Sequence, residues 1–581
     1  MKINLNICKY LLLWVLLGVT SCIMDNGTCP DEPDSGKENW ITLQFIVSEE
    51  SPVTRANPAS GEEGNGREEE ICNEATIHDV NIFLFADNSS LLNAASNTTL
   101  THLYFNLDDP GDRENTLSFT KEISPEDNKT VYTVTFLDEV PGIVLPLRSR
   151  GTVRFITVAN IGRSMHDELA KEDASGNKKE IQLSDLWDYD LLSTTWSGTG
   201  QNVSDGYDRF VMTTAYDETN TESFITFSNE SGAGTESSPF RGKTTLQRMC
   251  ARIDVMYADN NLKALNDKSE LKYAAGENGH TVHITNMLPV NVMSSPSFLF
   301  KKVSNGIPTD WSNVNGRTWG GKESKHDDGV PSNYVLEPNT LKKENLEGNE
   351  LNDALVNWYG DTKTSSVKYF IQDTSKGQVG GYHHYDYTTQ YSDTKTYSKI
   401  AVLGYANENT QSPNQFNSNY LTGIAFRAIY MPNEIRPSAT ENAVQPTKIY
   451  RYSPSKDGVV DESESLYFSD KAALQAYQSE HMEDMAVVTE YDAVMHGGKL
   501  GFACYYNLWL KHYDDVDDIK SDPHKVYPMQ YATVRNNIYR VALKFNGPGD
   551  PEPTMREPET MQARIFVRKW NQRMENNALQ F

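Results

Sequence analysis

The strongest constraint in this sequence is a succession of short apolar runs with β-type alternation. They include Ile41–Val47 (ITLQFIV), Val80–Phe85, Val131–Leu137, Val153–Val158, Ala251–Tyr257, Thr281–Thr285, Lys399–Leu403, Gly423–Tyr430, Phe502–Leu510, Ile538–Phe545 and Ala563–Trp570 (ARIFVRKW). Clusters of Gly, Asn, Asp and Pro separate them, as turns separate strands. Helical signal is confined to Lys471–Tyr477, continuing towards Met482, and to the stretch around Leu169. There is no sustained βα alternation and no repeat of 20–50 residues, so doubly wound α/β folds and solenoids are excluded. The chain reads as all-β, built from β-sandwiches with few short helices.

Two breaks organise it. A polar, Asn- and Gly-containing stretch, Asp259–Gly279, separates two strand-rich halves. The second break is Gly547–Pro553 (GPGDPEP), whose prolines end the strand before them. The residues beyond it hold one clear strand and are too few to form a domain. The expected units are sandwiches over 56–265 and 266–550, with an appendage over 551–581.

The first residues read as a targeting segment. Lys2 and Lys9 form a positive n-region, and Leu11–Val19 (LLLWVLLGV) is an apolar run. It is shorter than the roughly 20 residues of a bilayer-spanning helix and fits the h-region of a secretory signal. It ends in Val19-Thr20-Ser21-Cys22, which resembles a bacterial lipobox. The expectation is a signal over 1–21, lipidation of Cys22 after cleavage, and a polar tether beyond it; the plain alternative is a signal peptide with an incidental Cys.

Charge and cysteine content exclude several classes. Against 53 Lys+Arg stand 80 Asp+Glu, a formal charge of −27. That argues against nucleic-acid binding, which needs clustered Lys and Arg to neutralise phosphates, and against docking on an anionic membrane face. With 30 Tyr the chain is too aromatic for a disordered acidic polymer. Its six Cys show no CxxC and no regular spacing, so neither a zinc motif nor a disulfide framework is indicated. Cys250 and Cys504 lie in apolar runs and read as buried small hydrophobes.

Catalytic motifs are missing. HExxH, GxSxG and GxGxxG do not occur, and Gly242-Lys243-Thr244 lacks the first glycine of a P-loop, where Ser237 stands. His383-His384 could suggest a metal site, but neighbouring residues on a strand point to opposite faces; a solvated loop is the favoured reading. Asp514, Asp515, Asp517, Asp518 and Asp522 do not have the spacing of an EF-hand and read as a solvated acidic loop. No catalytic residue, metal site or cofactor is expected.

The two ends carry the information. In Ile41–Val47, the residues Ile41, Leu43, Phe45 and Val47 share one strongly apolar face. A polar, Pro-containing linker comes next, with Arg55-Ala56 in it and Arg67 further on. Exposed linkers of this kind are where proteases cut. At the other end Ala563, Ile565 and Val567 alternate with Arg564 and Phe566, and Trp570 lies just beyond; an orphan strand wants a sheet edge. One end could lose a strand and the other supply one, which is strand complementation between neighbouring subunits. The plain alternatives are an ordinary edge strand at the first end and a last strand folded back into its own domain.

These residues resemble a known family. Ile41–Val47 together with Thr54-Arg55-Ala56 is similar to the propeptide strand and arginine cleavage site of Bacteroidales fimbrillins, the type V pilins. The segments Cys504–His512, Pro528–Val541, Gly547-Pro-Gly and Ala563–Trp570 resemble the C-terminal domain of Mfa-type shaft subunits, and Arg154–Asn160, Phe210–Ala215 and Leu246–Val255 their N-terminal domain. The resemblance implies two transthyretin-like β-sandwiches with an extended C-terminal donor strand (Ala563, Ile565, Phe566, Val567, Trp570). It implies a lipoprotein precursor carried to the outer membrane and a propeptide over 22–55. A surface arginine-specific protease would cut after Arg55, with Arg67 as the alternative. The implied partners are other copies of the chain, added head to tail, and the anchor and tip subunits of a cell-surface fimbrium that supports adhesion. The competing reading is a surface glycan-binding or glycan-degrading β-sandwich lipoprotein, sharing the lipobox, acidity and Trp/Tyr content.

Overall fold

The structure, a computed structural model, describes residues 40–47, 74–86, 99–108, 116–124, 129–137, 152–169, 181, 185–186, 189–193, 195–196, 209–214, 224–226, 231–265, 268–304, 334–340, 355–357, 375–386, 399–410, 420–437, 445–456, 459–460, 464–481, 485–512, 529–554, 557–558 and 560–569. Within them it is an all-β architecture with two short α-helices, Arg163–Leu169 and Lys471–Glu480, where the sequence puts its helical signal. Asp470 caps the second helix by accepting from the Ala473 amide, a backbone donor that the helix itself leaves unpaired.

The first sheet has nine strands: β1 (Trp40–Val47), β2 (Asp79–Ala86), β3 (Thr99–Asn106), β4 (Thr116–Ser124), β5 (Lys129–Leu137), β6 (Thr152–Ala159), β7 (Met212–Thr214), β8 (Phe224–Thr226) and β9 (Phe240–Arg248). Their spatial order is β3-β2-β6-β7-β9-β1-β5-β4, with β8 on β6. The longer strands of the second sheet are β10 (Ala251–Tyr257), β11 (Lys268–Ala275), β12 (His280–Val290), β13 (Lys399–Ala406), β14 (Gly423–Met431), β15 (Lys448–Lys456), β16 (Met485–His496), β17 (Lys499–Trp509), β18 (Asn537–Phe545) and β19 (Met561–Lys569). They run β13-β10-β18-β11-β12-β14-β17-β16-β15, with β19 on the flank of β18. The chain changes sheet between Arg248 and Ala251, ahead of the polar stretch Asp259–Gly279, because the β9–β10 corner already delivers β10 between β13 and β18.

Strand β10 shows how the two cores share a wall. All seven of its residues are buried. Ala251, Ile253, Val255 and Tyr257 face the core of the second sheet, while Met256 faces the first core, where Ile400, Val402, Tyr405, Ile538 and Ala542 join it from β13 and β18. Arg252 and Asp254 occupy the same face as Met256 and are fully buried. Their charges are paired. Arg252 donates to both carboxylate oxygens of Glu74 at 2.9 Å and to Asp254; Arg540 donates to Asp254 at 3.1 Å, and the Tyr405 hydroxyl donates to Glu74 at 2.8 Å. Arg248 donates to the Glu74 carbonyl at 2.7 Å. A buried charge is tolerable only with such partners. The network ties the residues preceding β2 to three strands of the second sheet's wall. Burial pushes the Asp254 carboxyl up to about 6, against the opposing pull of Arg252.

The two cysteines read as small hydrophobes are free and buried. Burial pushes the Cys504 thiol up to about 12 and the Cys250 thiol up further, so neither is a reactive thiolate. Cys72 lies outside the described residues.

Candidate functional site

Strand β1 lies inside the first sheet, not at its edge. On one side it pairs antiparallel with β5 over its whole length, from Trp40 opposite Leu137 to Val47 opposite Thr130. On the other it pairs parallel with β9, from Ile41 opposite Phe240 to Val47 opposite Leu246. The alternation of ITLQFIV explains its burial. Ile41, Leu43, Phe45 and Val47 are each 0% exposed in the first core, among Val134, Phe136, Phe155 and Leu246. On the other face the Thr42 hydroxyl meets that of Thr135 at 2.9 Å, and the Trp40 amide donates to the Gly234 carbonyl at 2.8 Å to fix the strand's start.

Among the described residues, β1 is the only strand that hydrogen-bonds the β4–β5 hairpin to the rest of the first sheet. Taking it out would split the sheet into two parts and bare two ladders of backbone donors and acceptors. It would also open an apolar trough. Four fully buried apolar side chains contribute about 1.5–3 kcal/mol each, so the strand accounts for a large part of a domain's usual margin of about 5–15 kcal/mol.

Gly242 on β9 pairs with Leu43. A Cβ there would come within 2.7 Å of Phe155 Cε1, 2.9 Å of Ile225 Cγ1 and 2.9 Å of Leu43 Cδ2. The missing side chain is what lets three large groups meet. This glycine belongs to a nine-residue strand and to no phosphate-binding turn. Glycine inside the strand pattern FRGKTTLQR was the available signal for a close approach.

At the other end, Gly547–Pro553 is docked against the second sheet. Tyr505 and Asp550 exchange backbone hydrogen bonds at 2.8 and 2.9 Å, and the Tyr506 and Tyr491 hydroxyls donate to the carbonyls of Gly547 and Gly549. The Thr560 hydroxyl donates to the Pro548 carbonyl at 2.6 Å. The chain then returns as β19, antiparallel along all nine residues of β18, from Met561 opposite Phe545 to Lys569 opposite Asn537. Among the described residues β19 pairs with no other strand, so its outer backbone edge faces away from the sheet. Met561 is buried, while Ala563, Ile565 and Val567 are half-buried against the second core. The last strand thus lies folded back on its own domain.

The two candidate strands lie in different sheets and against different cores, yet they carry the same pattern. Ile41, Leu43, Phe45 and Val47 sit at every second position, and so do Met561, Ala563, Ile565 and Val567. The central strand is fully enclosed; the terminal one is an edge strand, half-covered. Cys22, Arg55, Ala56, Arg67, Trp570 and the acidic loop from Asp514 to Asp522 lie outside the described residues, as does the side chain of Phe566.

The histidine pair lies on a short strand, His383–Asp386, and not on a solvated loop, because these residues pair with Lys399–Val402. His384 Nε2 donates to the Val379 carbonyl at 2.7 Å, which leaves Nδ1 to accept from the Tyr257 hydroxyl at 2.6 Å. His383 stacks on Tyr385 instead. The two rings have separate partners.

Residues 501–576 match the family described as major fimbrial subunit protein type IV, fimbrillin, C-terminal. This segment is fimbrillin-like. It contains most of β17, all of β18 and the returning β19, the elements that place the terminal strand at an edge. Solved structures similar to the whole chain include the tip fimbrial protein Mfa3 from Porphyromonas gingivalis with C-terminal truncation, at 9% identity, 91% of this chain, 100% of that chain and TM-score 0.29. A fimbrilin (FimA) from Porphyromonas gingivalis W83 has 12% identity, with 93% of this chain and 99% of that chain covered and TM-score 0.30. A fimbrial assembly protein from Parabacteroides distasonis has 9% identity, with 92% and 99% covered and TM-score 0.30. No curated protein matches the chain.

Proposed function

We propose that this chain is a structural, non-enzymatic subunit of a surface fimbria, exported as a lipoprotein through Cys22 and polymerised by strand exchange after cleavage at Arg55–Ala56. The observation that carries this reading is the place of β1. It is the sole hydrogen-bonded link between two parts of the first sheet among the described residues, its apolar face is wholly buried, and a polar linker bearing Arg55 comes directly after it. Cutting there frees a strand whose departure leaves a trough of fixed length and pattern. Strand β19 of a neighbouring copy has the matching length and alternation, and among the described residues it is held in its own chain along one edge only. Repeating the exchange joins copies head to tail, which does not close and yields a filament. Anchor and tip subunits would occupy the two ends, and the acidic surface would keep filaments apart.

The test is the N-terminus of the surface form. A start at Ala56 together with SDS-resistant ladders supports the reading; a start at Arg67's successor, Glu68, moves the cut and keeps the mechanism. A lipidated Cys22 start in a protein that runs only as a monomer overturns it.

A further inference from the structure

The most concentrated group of ligand-type side chains among the described residues lies in the second sheet, on neither candidate strand. Glu270 on β11, His283 on β12 and His496 at the end of β16 offer one ligand atom each within 4.8 Å of one another. Along the hydrogen-bonded path, β14 and β17 stand between β12 and β16, so this contact is made across the sandwich. His283 Nδ1 is 2.7 Å from Glu270 Oε1, and His496 Nε2 is 2.8 Å from Glu270 Oε2. The two ring nitrogens are 3.3 Å apart.

We infer that Glu270, His283 and His496 form a binding site for one divalent transition-metal ion of the zinc class, which clamps β16 onto the β11–β12 hairpin. Three features argue for it. The donor set, two imidazole nitrogens and a carboxylate, suits zinc and its first-row neighbours and does not suit calcium or magnesium, which take oxygen. The spacing of the two nitrogens is that of two ligands on one tetrahedral ion, since bonds of about 2.0–2.1 Å put ligand atoms roughly 3.3 Å apart. The carboxylate oxygens stand about half an ångström closer than that, a displacement that a small rotation of the Glu270 side chain supplies.

The third feature is the support behind His283. Its outer nitrogen, Nε2, lies 3.0 Å from the Thr281 hydroxyl. Donation from Nε2–H to that hydroxyl leaves the Nδ1 lone pair directed at the cluster, the arrangement that outer partners give to metal-bound histidines. On the far side, Gly497 and Gly498 both adopt positive φ, and their tight turn delivers His496 at the strand's end. The side chains of His283 and His496 keep 10% and 12% exposure, so an ion can enter and water can complete its coordination. An ion here would close a loop of more than two hundred residues, which is where a clip stabilises most.

The test is titration of the full chain with Co²⁺ near neutral pH, read by visible d–d absorption, then displacement with Zn²⁺ and thermal unfolding with and without Zn²⁺. The expected result is one tight ion per chain, a raised melting temperature with Zn²⁺, and affinity reduced at least tenfold in His283→Ala and His496→Ala. His383→Ala should leave it unchanged. If the histidine variants do not fold, Thr281→Val serves, with an expected loss of roughly tenfold from the missing outer partner. No absorption band in the unaltered chain, or binding that these variants leave intact, overturns the site and leaves a hydrogen-bonded triad.

Discussion

Leu43 on β1 and Gly242 on β9 are paired residues, and the glycine's missing side chain is the space into which Leu43 packs. On the proposed cleavage after Arg55, Leu43 belongs to the uncut precursor alone. Leu43→Ala should destabilise the precursor by about 2–5 kcal/mol, the range for a leucine lost from a closed core, measured by urea unfolding of the uncleaved chain. Filaments assembled from cleaved chains should be unaltered, because the strand carrying the mutation has gone. An equal effect on filaments would show that β1 stays in place after cleavage.

The terminal strand should behave in the opposite way. Ile565 is half-buried at an edge of its own domain, whereas its proposed seat in a neighbour is a closed core. Ile565→Asp should cost the monomer about 1–2 kcal/mol, an ordinary value for a half-covered site, and should abolish SDS-resistant ladders. Gln562→Glu, at an exposed position of the same strand, should assemble normally. Normal ladders from Ile565→Asp would sink β19 as the donor.

The buried network around Arg252 predicts a stability effect with no effect on the ends. Glu74→Ala removes one of the two carboxylates that hold the fully buried Arg252 guanidinium, the other being Asp254. The loss should stay below the about 3–5 kcal/mol of a buried charge left with no partner, and the melting temperature should fall by several degrees. Arg252→Met combined with Glu74→Met should recover part of the loss, since the Asp254–Arg540 pair stays intact and well-packed apolar groups can replace a buried ion pair. A fully tolerated Glu74→Ala would show that Asp254 alone suffices to hold Arg252.

Much of this was legible from local pattern. The alternation in ITLQFIV, the Gly-Pro break and the short helix after Asp470 are all decided by neighbouring residues, and the structure agrees with them. The burial of Arg252 and Asp254 was not legible, because it depends on a second core covering the other face of β10. The same holds for Glu270, His283 and His496. His283 lies 13 residues from Glu270 and 213 from His496, and only the folding of the sheet into two layers brings β16 onto β12. Strand β19 was legible as a strand, but its return along β18 depends on how the Gly547–Pro553 turn docks on Tyr505. The strand at His383 and His384 was hidden, because four residues with two polar rings have too little apolar pattern to distinguish them from a loop.

A pH effect arises from His384. Burial holds its imidazole below its ordinary value, and Lys399 and His383 add to that, while the bond from Nε2 to the Val379 carbonyl works the other way. Below about pH 6.5 the unfolded chain takes up a proton that the folded chain resists. Stability is therefore complete above that value and is lost as pH falls from it towards the depressed folded value. In the folded state protonation of Nδ1 would also break the acceptance from the Tyr257 hydroxyl. The melting temperature should therefore drop between about pH 7.5 and 5.5, either side of the ordinary histidine value, and His384→Gln should flatten the drop. Gln keeps an acceptor for Tyr257 and does not titrate. His280 and His496 are depressed by burial as well, so a residual slope should persist in the variant. Parallel curves for the unaltered chain and His384→Gln would show that His384 is not a source of the acid sensitivity.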